Sequence, residues 1–173
     1  HTVITQETPE RLASHWGATF DRVLVDAPCS GEGMFRKSPA ARRDWTPELV
    51  QGCALRQSEI LNQASRQVRA GGWLVYSTCT FNPDENEAVI TRFISTHPDF
   101  EICTIPTLPG FSPGRAEWIT TIDPAPTLQH TVRIWPHHTH ADGHFIALLQ
   151  RTSDENLPGR AAWRIPTIDR QSM

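Results

Sequence analysis

Two short apolar runs, Val23-Leu24-Val25 and Trp73-Leu74-Val75, each open into a polar turn that carries a cysteine, and a helical pattern lies between them. Their length and their β-branched or aromatic content are those of buried parallel strands. The first run ends in Asp26-Ala27-Pro28-Cys29-Ser30-Gly31-Glu32-Gly33 and the second in Tyr76-Ser77-Thr78-Cys79-Thr80. In sheets of this kind ligands bind just beyond the carboxyl ends of the strands, where both cysteines are expected.

The remaining elements follow from local signals. Thr46 is a good N-cap with Pro47 in the first helical position. Leu49, Val50, Cys53, Ala54, Ile60, Leu61, Ala64 and Val68 recur at helical spacing, which predicts a helix ending near Gly71-Gly72. Asn82 is expected to cap a second helix, with Pro83 at its start, Glu85 three residues on, Val89, Ile90, Phe93 and Ile94 on one face, and Pro98 as its stop. Residues 104–129 hold five prolines and few periodic apolar positions, and read as a long surface loop. Thr131 to Trp135 and His144 to Leu149 read as an antiparallel hairpin at the sheet edge. Near the start, Val3-Ile4 is a short apolar pair, and the polar stretch through Glu7, Pro9 and Glu10 opens a short helix. From Thr152 the chain is polar and bears proline, so 1–151 reads as the folded unit and 152–173 as a linker or frayed tail.

The totals exclude several classes. With 173 residues, 38% hydrophobic and 20% charged, the chain has an ordinary globular composition and enough length for one core. Its longest apolar run falls far short of the roughly 18 residues that a membrane span needs, and no signal peptide begins at His1, so a soluble cytoplasmic protein is expected. Its four cysteines lack a C-x-x-C pairing and read as reduced thiols, with Cys53 and Cys103 as core residues. A formal charge of −3 argues against gripping nucleic acid over the whole surface but leaves room for the basic patch of Arg36, Lys37, Arg42 and Arg43. The run from His137 to His144 offers imidazoles and a carboxylate, yet its spacing matches no closed four-ligand pattern, and no metal is expected.

Phe20 to Glu32, Tyr76 to Phe81 and Asn82-Pro83-Asp84-Glu85-Asn86-Glu87 resemble, in order, the fourth and sixth motifs and the following helix start of the RNA 5-methylcytosine methyltransferases of the Nol/Nop/Sun group, especially bacterial members acting on small-subunit ribosomal RNA. Arg133 to Leu149 is similar to the family's last two strands. The resemblance implies an α/β, Rossmann-like S-adenosylmethionine-dependent methyltransferase fold lacking its first strands, with a C-terminal antiparallel hairpin. It implies S-adenosylmethionine as cofactor and RNA, in particular small-subunit ribosomal RNA, as partner.

By the same resemblance, Cys79 is the nucleophile that adds to carbon 6 of cytosine and makes carbon 5 electron-rich. Asp26 stabilises the charge pushed into the ring, and Cys29 serves product release. Asp26 and Pro28 are the remaining cofactor neighbours, and Arg36 and Lys37 neutralise RNA phosphates. Backbone N–H groups at the Asn82 helix start are the expected source of Cys79 activation. The family's glycine-rich cofactor loop is expected upstream of His1, which makes an upstream half of the catalytic domain a further expected partner, and Val3-Ile4-Thr5-Gln6 is expected to end a third strand. An alternative reading is a catalytically inert fragment that at most binds RNA or a partner. Exocyclic amine methylation is disfavoured because those enzymes carry an aromatic residue where Cys29 stands. A thiol hydrolase needs a histidine close to its cysteine, and the histidines are expected in the far hairpin and near the chain start.

Overall fold

The structure, a computed structural model, describes residues 2–139 and 142–152; His140 and the tail proposed for 152–173, beyond Thr152, lie outside the described residues. Helix α1 spans Pro9–Trp16, capped by the Thr8 hydroxyl and ended at Gly17, whose φ of 53° suits a residue without Cβ. Strand β1 spans Phe20–Asp26, the short helix α2 spans Pro39–Asp44, and α3 spans Pro47–Ser65. Thr46 Oγ1 accepts from the Leu49 N–H at 3.1 Å, and Pro47 occupies the first turn, as expected. Strand β2 spans Val68–Thr78, α4 Glu87–Thr96, β3 Phe100–Cys103, β4 Phe111–Pro113, β5 Val132–Ile134 and β6 His144–Arg151.

Among the described residues these strands form one sheet in the order β1-β2-β6-β5-β4, with β3 also on β6. β1 and β2 run parallel, Asp26 opposite Ser77, and β2 pairs antiparallel with β6, Thr78 opposite Phe145. The expected hairpin of β5 and β6 forms, but not at the edge: β6 lies inside the sheet, with β3 and β5 sharing its outer side end to end. Residues 104–129 are not all loop, since they contribute β4 and a short 3₁₀ turn at Ala116–Trp118, and Ala125 is buried.

Three boundary expectations change. Val68 belongs to β2, not to α3, because it pairs with Phe20. Gly71-Gly72 therefore does not end a helix but sits within β2, where the pairing register slips between Phe20 and Arg22. A Cβ on Gly72 would lie 3.0 Å from the Asp21 carbonyl, which explains a residue without a side chain there. Helix α4 starts at Glu87 rather than Asn82, because the Asn82 side chain accepts from the Asp84 N–H at 3.0 Å and closes a turn first. Val3 and Ile4 are 81% and 92% exposed and form no strand.

The core lies between α3, α4 and one face of the sheet: Ala54, Leu61 and Ala64 of α3 and Val89, Ile90 and Phe93 of α4 cover Leu74, Tyr76, Ala147 and Leu149. The expectation that both strands are buried on two faces fails for β1. Leu24 is 68% exposed, and the row it begins, Leu24, Val75, Leu148 and Cys103 across four strands, lies on the opposite face. Cys103 is accordingly half-buried rather than a core thiol, and so is Cys53, beside the buried stripe of α3.

Candidate active site

Parallel pairing of β1 with β2 carries the two cysteine turns to the same end of the sheet, and the backbone pairing extends one step past β1, where the Ala27 N–H donates to the Ser77 carbonyl at 2.9 Å. Cys29 Sγ and Cys79 Sγ meet at 3.2 Å, both as free, half-buried thiols. Sequence order placed them at strand ends, and register makes them touch.

Each residue of the first turn has a place. The Ser30 N–H donates to Glu85 Oε2 at 2.9 Å, its hydroxyl donates to Glu85 Oε1, and the same hydroxyl lies 3.0 Å from Thr80 Oγ1. Glu32 accepts from the Phe81 N–H at 3.2 Å and from Trp45 Nε1 at 3.1 Å. Gly31 takes a φ of 72°, and the Gly33 N–H donates to the Cys79 carbonyl at 2.8 Å. A Cβ on Gly33 would stand 2.7 Å from the carbonyls of Cys79 and Gly143, so the approach of the turns depends on glycine there.

The two thiols are electrically unlike. A hydrogen bond from Cys29 favours the Cys79 thiolate, aided by the charge of His144, and against burial draws its pKa down to about 7. The same contact and burial push the Cys29 thiol far up, so Cys29 keeps its proton and donates it. Activation thus comes first from the partner thiol rather than from a helix start at Asn82. His144 corrects another expectation: antiparallel pairing of Thr78 with Phe145 brings the far hairpin alongside Cys79.

Asp26 and Pro28 are exposed at the carboxyl end of β1, and Asp26 Oδ1 accepts from the Ser77 hydroxyl at 3.2 Å. An exposed carboxylate and an apolar ring beside the thiols suit a cationic sulfonium donor and a polar base. Lys37 is not a lone cation, since its Nζ lies 2.7 Å from Asp142 Oδ2. Arg36 acts on the same carboxylate, whose pKa is held down first by the Lys37 hydrogen bond. Among the described residues no cluster of three histidine, cysteine or acidic groups is arranged to hold a metal.

Behind the thiols lies a buried ion pair that sequence reasoning missed. Arg133 of β5 donates from Nε to Glu87 Oε1 at 2.7 Å and from Nη2 to Oε2 at 2.5 Å, and from Nη1 to the Phe81 carbonyl at 2.9 Å. Its guanidinium packs 4.8 Å from the Trp118 ring centre and 5.4 Å from that of Trp135. Glu85 and Glu87 looked like helix-start residues; only their complete burial marks them as internal partners.

Residues 1–150 match the family model described as 16S rRNA methyltransferase RsmB/F. Over 133 residues the chain is 41% identical to ribosomal RNA small subunit methyltransferase F of Shigella flexneri and 40% identical to that of Escherichia coli, in each case over 77% of this chain. The chain spans 26% of the length of these relatives. Among solved structures it is similar to a methyltransferase homolog from Pyrococcus horikoshii, with TM-score 0.70 and 25% identity over 84% of this chain and 43% of that one. It is also similar to NSun6 from Pyrococcus horikoshii, solved with SFG, with TM-score 0.68 and 28% identity over 87% and 34% of the two chains. The fold is accordingly Rossmann-like, of the methyltransferase type.

Proposed function

The chain belongs to the 16S rRNA methyltransferase RsmB/F family, and from that premise we propose that it contributes the reacting groups for methyl transfer from S-adenosylmethionine to carbon 5 of a cytosine in small-subunit ribosomal RNA. The observation that carries the reading is the Cys29–Cys79 contact at 3.2 Å, which shifts the two thiols in opposite directions, Cys79 toward the thiolate and Cys29 toward the thiol. The cofactor assignment is supported by the relatives' names and by SFG, an analogue of S-adenosylmethionine, in the NSun6 structure.

Asp26 and Pro28 are the residues of this chain that would border the cofactor, which when bound supplies an electrophilic methyl group. The Cys79 thiolate adds to carbon 6 of the ring, forming a C–S bond while the ring's π electrons move toward carbon 5 and nitrogen 3. Asp26 hydrogen-bonds or protonates the ring nitrogen and so stabilises that charge. Once carbon 5 is methylated, Cys29 accepts the proton from carbon 5, the electron pair reforms the ring double bond, and Cys79 leaves as thiolate. The proton that Cys29 holds at rest leaves as Cys79 bonds to carbon 6 and removes the thiolate that Cys29 donated to. It passes by way of the exposed Asp26 carboxylate to the ring nitrogen or to solvent, so that Cys29 is free to accept the proton from carbon 5. Arg36 and Lys37 face the RNA backbone in this reading, with Lys37 exchanging Asp142 for a phosphate.

The test is covalent capture. Incubated with S-adenosylmethionine and small-subunit ribosomal RNA, the Cys29→Ala variant is expected to retain a protein–RNA adduct on a denaturing gel, and Cys79→Ala none. An adduct that survives loss of Cys79, or no adduct in either variant, would overturn the proposed roles.

A further inference from the structure

Glu85 is fully buried, yet among the described residues it pairs with no lysine or arginine. A buried carboxylate without a cation is costly, and a core built for stability alone would put an apolar side chain there. Its oxygens are used otherwise. Oε2 accepts from the Ser30 N–H at 2.9 Å and from Gln57 Nε2 at 2.8 Å, and Oε1 accepts from the Ser30 hydroxyl. Gln57 Nε2 also reaches the Pro28 carbonyl at 2.9 Å, and the Ser30 hydroxyl reaches Thr80 at 3.0 Å. The residues flanking Cys29 and the residue following Cys79 are thus tied to one carboxyl group. The Tyr76 hydroxyl anchors the residue itself by donating to the Glu85 backbone carbonyl at 2.7 Å.

We propose that Glu85 is a positioning residue, whose buried carboxyl group clamps the two cysteine turns together and so sets the contact between Cys29 and Cys79. Its catalytic meaning rests on the function proposed above, but the clamp is testable without RNA or cofactor. Glutamine preserves the pattern: its carbonyl oxygen accepts from the Ser30 N–H and Gln57, and its amide donates to the Ser30 hydroxyl, which then donates to Thr80. Alanine removes every arm.

The experiment measures how fast dibromobimane bridges Cys29 and Cys79 in the 173-residue chain, with Cys53 and Cys103 replaced by alanine and thermal melts recorded for each variant. Glu85→Gln is expected to cross-link within about twofold of the parent, and Glu85→Ala and Ser30→Ala about tenfold or more slowly. Ile90→Ala, destabilised in the core of α4 away from the turns, is expected to keep the parental rate below its melting temperature. Parental cross-linking in Glu85→Ala overturns the clamp. If that variant does not fold, parental cross-linking in Ser30→Ala overturns it. Equal slowing in Ile90→Ala also overturns it, by making the effect general loosening. Failure of RNA methylation would overturn the proposed function and leave this rate unmoved.

Discussion

A single S–H group decides the character of Cys79. The free thiol titrates at about 8.5, and the hydrogen bond from Cys29 favours the deprotonated form, so the pKa falls. Because the thiolate is the reactive species, alkylation of Cys79 should rise through a midpoint near pH 7, while Cys29 reacts only after Cys79 has been alkylated. Replacing Cys29 by alanine removes the donor and should move the Cys79 midpoint up, toward about 8.5. Mass spectrometry of iodoacetamide-labelled peptides across pH measures both. A midpoint unchanged by the replacement would assign the activation to His144 and the backbone instead.

At the scale of elements, the turn after β1 is held by close backbone approach, and glycines show where that approach is tightest. Gly33→Ala forces a Cβ against two carbonyl oxygens at 2.7 Å, neither of which is the end of a flexible side chain. It should cost about 1–3 kcal/mol in urea unfolding. Gly52, in the interior of α3, has nothing within 4 Å of the same position. Gly52→Ala should therefore stabilise by about 0.5–1 kcal/mol through helix propensity. Opposite signs from the same chemical change would separate a packing requirement from a conformational one. Two equal shifts would contradict the close approach of Gly33 to Cys79.

Across the whole molecule, the Glu87–Arg133 pair joins α4, β5 and the Phe81 backbone, and the Arg115 N–H adds a fourth segment by donating to Glu87 Oε1 at 2.9 Å. Removing one partner strands a buried charge, so Arg133→Met or Glu87→Leu alone should each cost about 3–5 kcal/mol. The double replacement should cost less than the sum, which a double-mutant cycle in urea reads directly. Strict additivity would show that the pair is not coupled. The parts of this fold legible in the sequence are those written locally. The Thr46-Pro47 cap, the apolar stripe of α3, the two strands and their cysteine turns need only neighbouring residues to declare themselves. Boundaries failed where a local signal competed with a distant one: Val68 fits the helical stripe but pairs with Phe20, and Asn82 can cap a helix but closes a turn. By itself the sequence determined the α/β class, both thiols and, through its motifs, the family. Only the tertiary structure decided that the sulfurs touch, that His144 stands beside Cys79, and that Glu85, Glu87 and Arg133 are internal partners. Contact, burial and electrostatics depend on strand register between segments far apart in the chain, which no local pattern encodes.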